Sequence, residues 1–211
     1  MIDLSFKLEG DRIPLDYGYS LFGALSRLVP SLHGDSRVGV HPIRGMRLEP
    51  RLLTLVPASR LRIRLPADHL APYIGLSGSR LELDGFTLEI GIPRVEPLGP
   101  AGSVISRLVT IKGMRELGPF GEAVRRQLSA IGVDARPVLE GEPDVGGPSR
   151  RVLRIKDRRV VGFSLRVDGL TAAESIRLQE SGLGGRRRMG CGVFVPYVDR
   201  DRRPGNRGGE S

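Results

Sequence analysis

Residues 181–196, SGLGGRRRMGCGVFVP, set five glycines around three consecutive arginines. Gly182, Gly184, Gly185, Gly190 and Gly192 let a backbone take positive φ and run close to a ligand. The guanidinium forks of Arg186, Arg187 and Arg188 match phosphate oxygens in pairs. The segment therefore reads as a phosphate cradle. It is not a Walker A loop, because Gly190 is followed by Cys191 and Gly192 where that loop needs Lys-Ser or Lys-Thr. Nor is it a dinucleotide fingerprint. Arg187 stands where the third glycine belongs, and the loop leaves a helix and enters a strand, the reverse of the required order. The plainer alternative is a flexible glycine-rich connection with solvated arginines. The length of the run, its adjacent cations and the charge of the whole chain favour a nucleic-acid backbone instead.

That charge is large. Among 211 residues, 33 are Lys or Arg and 24 Asp or Glu, a formal net charge of +9. Such a chain meets a polyanion, either nucleic acid or an anionic membrane surface. The membrane reading is weak: no apolar run approaches the roughly 20 residues of a bilayer span, and MIDLSFKLEGDR has no apolar signal-peptide core. Cys191 is the single cysteine, so no intramolecular disulfide forms and no cysteine pair starts a zinc site. These features fit a cytoplasmic protein without a metal or other cofactor. Only 5% of residues are aromatic and none is tryptophan, so phosphate and shape contacts are expected over extensive base stacking.

The elements that must position the loop follow from periodicity. Residues 2–8 alternate as a strand, and 12–16, with Pro14, read as a turn. Tyr19, Leu21, Phe22, Leu25 and Leu28 recur at helical spacing until Pro30. After a polar loop, strands are expected at 40–48 and 60–65, a short helix at 67–75, and one or two strands over 81–92. This is the β-α-β-β-α-β order of a ferredoxin-like unit. EPLGPAG at 96–102 breaks the periodicity, and the pattern then repeats: a strand at 104–112, a helix at 120–131, a short strand at 136–140, a loop at 143–149, a hairpin of 152–155 and 160–167, a helix at 171–179 and a closing strand at 192–198. Thr171 and Glu174 form a capping-box pair at the start of that helix. The expected fold class is α+β, two tandem ferredoxin-like units at 1–97 and 98–198. Residues 199–211, which hold Arg200, Arg202, Arg203 and Arg207, form a charged glycine-rich tail read as disordered.

With these residues in view, SGLGGRRRMGCGVFVP resembles the C-terminal G-rich loop of the RAMP superfamily of CRISPR-associated proteins. IPLDYGYSLFGALSRLVPSLH at 13–33 resembles the first helix and following histidine of one branch, the Cas6 family of CRISPR-RNA processing endoribonucleases in its Myxococcus type. SRLVTIKG at 106–113 and RVLRIKDRRVVGFSL at 151–165 extend the likeness over most of the chain. The resemblance implies cleavage of precursor CRISPR RNA within its repeats without metal. The 2′-hydroxyl attacks the adjacent phosphorus, leaving a 2′,3′-cyclic phosphate and a 5′-hydroxyl. It also implies retention in a larger ribonucleoprotein beside other CRISPR-associated subunits. The alternative is a noncatalytic RAMP-type subunit that binds CRISPR RNA through the same loop.

The implied chemistry needs a base, an acid and a cation for the charged phosphorane. Histidine, which titrates near roughly 6.5, suits both proton roles. The chain has three, His33, His41 and His69. A lone histidine is more often a packing residue, and His69 is read so. His33 matches the family's catalytic histidine, and His41, eight residues on, is the candidate partner. Arg37 lies nearest the position where some members carry a lysine, and is the candidate cation. The tyrosine of the first helix in some members is replaced here by Ser26, leaving Tyr17 or Tyr19 to substitute. Arg154 and Lys156, on the expected hairpin, join the loop residues as RNA-binding candidates; with Arg125, Arg126, Arg151, Arg158 and Arg159 they would track an RNA stem through its phosphates.

Overall fold

The computed structural model describes residues 1–139, 141–142, 147–148 and 150–198. The tail expected at 199–211 and most of the loop at 143–149 lie outside these residues.

The first half contains β1 (Ile2–Glu9), β2 (Arg12–Pro14), α1 (Gly18–Leu28), a 3-10 turn (Pro30–His33), β3 (Gly39–Val40), β4 (Leu52–Thr54), β5 (Arg60–Leu65), a 3-10 turn (Ala67–His69), α2 (Ala71–Ile74), β6 (Arg80–Leu83) and β7 (Phe86–Pro97). Its main sheet runs β3-β5-β1-β7-β6, antiparallel throughout. β7, β1, β5 and β3 are the strands of a ferredoxin-like sheet; the tight β6–β7 hairpin adds one edge strand. Leu4, Phe6 and Leu8 of β1, with Leu61, Ile63 and Leu65 of β5, bury one face under Leu21 and Leu25 of α1.

The second half contains β8 (Ser103–Val109), α3 (Leu117–Ala130), β9 (Arg136–Leu139), β10 (Gly141–Glu142), β11 (Gly147–Pro148), β12 (Arg150–Ile155), β13 (Arg158–Asp168), α4 (Ala172–Ser181), a 3-10 turn (Arg187–Met189) and β14 (Val195–Pro196). β14, β8 and β13 lie side by side, and β9 and β12 share the outer edge of β13, pairing with its later and earlier residues respectively. Phe120, Val124, Leu128, Phe163, Leu165 and Phe194 form a second, separate core. The capping box of α4 is present: Glu174 N donates to Thr171 Oγ1 (3.3 Å) and Thr171 N to Glu174 Oε2 (2.9 Å). The architecture is thus α+β with two tandem ferredoxin-like folds. Among the described residues no helix is long and apolar enough to cross a membrane.

Four expectations are corrected. The strand at 40–48 shrinks to Gly39–Val40, because Pro42 has no N–H to continue the ladder; the chain rejoins a partner only at the Met46–Thr54 bridge. The turn at 12–16 includes β2, which pairs with β4. The short helix at 67–75 divides into a 3-10 turn and α2, with Pro72 in the first turn of α2. The closing strand shrinks to Val195–Pro196: Gly192 takes left-handed backbone (φ 65°) and Pro196 has no N–H, although Gly192 N and Tyr197 N still donate to Leu108 O and Ser103 O in the same register.

Candidate active site

The glycines of residues 181–196 include three that pack too closely for a Cβ, Gly182, Gly184 and Gly192. Gly192 has φ 65°, and a Cβ there would overlap the Leu183 carbonyl; Gly184 has φ 71°, and a Cβ would overlap the carbonyl of Thr110. Their amides are occupied too. Gly182 N donates to Leu178 O (2.8 Å), Gly185 N to Thr110 O (2.9 Å), Gly190 N to Arg187 O (3.3 Å) and Gly192 N to Leu108 O (2.7 Å), and Gly184 N to Gln127 Oε1 (2.7 Å). Turning one of these amides to a phosphate would strand its acceptor, at about 1–3 kcal/mol. These five amides are therefore not free for a phosphate as the loop stands, and the glycines let it pack on β8.

The three arginines have three different settings. Arg186 takes left-handed backbone (φ 63°) and is exposed. Arg187 turns back into the protein, its Nη2 donating to Glu180 O (2.8 Å); burial first, and then the charge of Arg64, lowers its pKa to about 10. Arg188 reaches the first half of the chain. Its Nη1 donates to Leu32 O (2.9 Å) and to His33 O, and its guanidinium lies 5.5 Å from the centroid of the Phe22 ring. The His33 imidazole stacks against the same ring, 5.7 Å between centroids at 29°. His33 is exposed on its turn, and the loop is latched to that turn.

The other expected groups divide. His41 is not placed with His33. It is 5% exposed and its Nε2 lies 3.1 Å from Asp3 Oδ1. Burial, outweighing its carboxylate partner, lowers its pKa to about 4. His41 is thus a buried neutral imidazole, and the expected His33–His41 acid–base pair is corrected. Tyr17 is likewise locked: Ile43 N donates to its hydroxyl (2.6 Å), which donates to Ile43 O (3.2 Å), and burial pushes its pKa up to about 12. Arg37 is tied by Nε to Asp35 Oδ1 (3.2 Å) and lies 2.9 Å from His69 Nε2. Ser26 Oγ is buried with no hydrogen-bond partner among the described residues.

A family model described as Cas6 Crispr matches residues 2–199. The CRISPR-associated endonuclease Cas6 of Myxococcus xanthus (strain DK1622) is 42% identical over 195 residues, 92% of this chain and 81% of that protein. The chain belongs to the Cas6 family. Its enzyme class follows, that of an endonuclease. Solved structures agree in fold. A Cas6-related protein from Pyrococcus furiosus superposes with a TM-score of 0.67 at 13% identity, covering 94% of this chain and 99% of that one. A RAMP protein described as binding different RNA substrates gives 0.63 at 14%, covering 94% and 100%.

Two features of this Cas6 chain escaped the sequence reading. The first is a buried clamp between the halves. Arg64, 1% exposed, donates from Nε to Asp3 Oδ1 (2.7 Å) and from Nη2 to Asp3 Oδ2 (2.9 Å), while Nη1 donates to Gln179 O (2.8 Å) and Phe194 O (2.6 Å) of the second half. Period-two alternation gave Arg64 an outward face; that face is covered by the other ferredoxin-like unit. The second is a cleft of about 620 Å³ along the same seam. Arg47, Arg51, Arg107, Arg150, Arg154 and Arg159 line it with Met189 and Gly190 of the glycine-rich loop, and Asp16 is the one carboxylate among its lining residues. A neighbouring hollow shares His41, Pro42, Arg107 and Arg151 with it and adds Arg44, Arg60 and Arg62. Arg154, one of the expected RNA contacts, thus lines the cleft, though Asp16 accepts from its backbone N (3.2 Å). Lys156 sits exposed at the hairpin tip, just beyond the lining pair Arg154 and Arg159 and not itself among the lining residues.

Proposed function

We propose that this endonuclease cuts precursor CRISPR RNA within its repeats, by attack of a 2′-hydroxyl on the adjacent phosphorus without metal, giving 2′,3′-cyclic phosphate and 5′-hydroxyl ends. The observation that carries this reading is the Arg188 latch, which brings the glycine-rich loop onto the turn of the exposed His33. His33 then moves the proton, as base for the 2′-hydroxyl or acid for the 5′-oxygen. The cation beside the phosphorane is Arg188 rather than Arg37, whose charge is already matched by Asp35. The arginine-lined seam supplies phosphate contacts for the flanking RNA, and its near-lack of carboxylates suits a polyanion.

The test is cleavage of a labelled repeat RNA in excess EDTA. Cleavage that persists there, stops with a 2′-deoxy nucleotide at the cut and falls by about two to four orders of magnitude in His33→Ala, with binding retained, is the expected result. Wild-type rates in His33→Ala, or loss of cleavage in EDTA restored by added metal, would sink this mechanism.

A further inference from the structure

Asp35 lies two residues beyond His33 and joins the turn to a segment with no role so far, residues 67–73. His69 Nδ1 lies 2.9 Å from Asp35 Oδ2, and Arg37 Nη2 lies 2.9 Å from His69 Nε2. The Nδ1–Asp35 contact fits the tautomer with Nδ1–H donating to the carboxylate; Arg37 Nη2 lies beside both ring nitrogens, 3.1 Å from Nδ1 as well, and donates to Asp35 Oδ2 (3.3 Å). Asp35 also accepts from Arg37 N (2.9 Å) and Arg37 Nε (3.2 Å), closing a ring of three side chains. Burial alone would raise the Asp35 carboxyl, but hydrogen bonds from Arg37 and His69 hold it below its usual value. Tyr73, buried in the same segment, faces Ser31 of the turn that ends at His33.

The His33 turn is therefore gripped from three sides: Phe22 under the ring, Arg188 on the backbone, and residues 67–73 through Asp35. Gly34 sits between the grips with open space where a Cβ would stand, and its backbone N–H, donating to Ser31 O (3.3 Å), is what holds it locally. A displacement of about 1 Å at a reacting group costs on the order of a hundredfold in rate, so the third grip matters for cleavage without touching RNA.

We propose that His69 is a positioning residue: held on Asp35, it fixes the far end of the His33 turn and so aims the imidazole. This rests on the reading of His33 as the proton-transfer group.

The test compares His69→Ala, Asp35→Ala, their double mutant, His69→Asn and His33→Ala on labelled repeat RNA, reading single-turnover rate at saturating protein and Kd separately. The amide of Asn stands near Nδ1 and can donate to Asp35. His69→Ala and Asp35→Ala should each slow cleavage about tenfold with Kd nearly unchanged, and the double mutant should be no slower than either, as for two halves of one contact. His69→Asn should recover most of the rate. The inference is overturned by full rate in His69→Ala, by losses that multiply in the double mutant, or by a His69→Asn enzyme as slow as the alanine variant, which would make His69 a proton carrier itself. A fully active His33→Ala enzyme would remove the His33 reading and this inference with it; an inactive one beside a fully active His69→Ala removes this inference alone.

Discussion

Arg188 donates to the carbonyl of His33 across 155 residues of sequence, and both side chains lie against Phe22. The contact converts two local motifs, one at each end of the chain, into a single surface. A guanidinium planar enough to serve two carbonyls and cover an aromatic face is not replaced by an ammonium. Arg188→Lys should therefore behave much like Arg188→Ala. Both should slow cleavage of repeat RNA by about ten- to a hundredfold while leaving the melting temperature within a few degrees. Single-turnover kinetics and thermal melts check this; a lysine variant with the wild-type rate would mean that charge alone, and not the latch, is what the site needs.

The neighbouring arginines should separate binding from stability. Arg186 is exposed, whereas Arg187 is turned inward onto Glu180 O. Neutralising one phosphate contact on a single strand lowers the slope of log K against log salt by about 0.7. Arg186→Ala should lose about that much slope and keep its melting temperature. Arg187→Ala should keep its slope and melt earlier. Titrations at several salt concentrations, run beside thermal melts, check both, and a reversal of the two behaviours would contradict the inward setting of Arg187.

These contrasts mark what could be read beforehand. RLRIRL at 60–65 alternates cleanly, and β5 spans Arg60–Leu65. Thr171 and Glu174 give the helix start because a capping box is local chemistry. Alternation tells which face is apolar, but not what covers the polar one, so nothing in the sequence marks Asp3 and Arg64 as a buried pair or His41 as a member of their cluster. The same limit applies to SGLGGRRRMGCGVFVP. Its composition reads as a phosphate cradle, whereas its glycines pack largely on β8 and Arg188 on the His33 turn, with Arg186 left facing solvent.

The seam clamp makes its own prediction. Arg64 satisfies Asp3 and two carbonyls of the second half at 1% exposure. Removing one partner of a buried ion pair costs about 3–5 kcal/mol, because the other charge stays buried and unpaired. Asp3→Ala and Arg64→Ala should each lose that much by chemical denaturation. Asp3→Ala combined with Arg64→Met, which removes both charges and keeps the apolar stem, should lose less than either. A double variant weaker than both single variants would show that the carbonyl contacts to Gln179 and Phe194, rather than the ion pair, dominate the clamp.

The same cluster sets the acid limit of stability. His41 titrates near its ordinary 6.5 when unfolded and near about 4 when folded, mainly because burial disfavours its charged form. Between those values the unfolded chain binds a proton that the folded chain refuses, so stability is full above pH 6.5 and declines as pH falls toward 4. Burial would raise the Asp3 carboxyl, but hydrogen bonds from His41 and Arg64 outweigh it and hold it below its usual 3.8, so its contribution is lost only at still lower pH. The melting temperature should therefore fall in two stages on acidification, the first belonging to His41 and the second to Asp3. His41→Asn should flatten the first stage, whatever it does to the melting temperature at neutral pH, and leave the second. An unchanged slope between pH 6.5 and 4 in that variant would place the titrating group elsewhere.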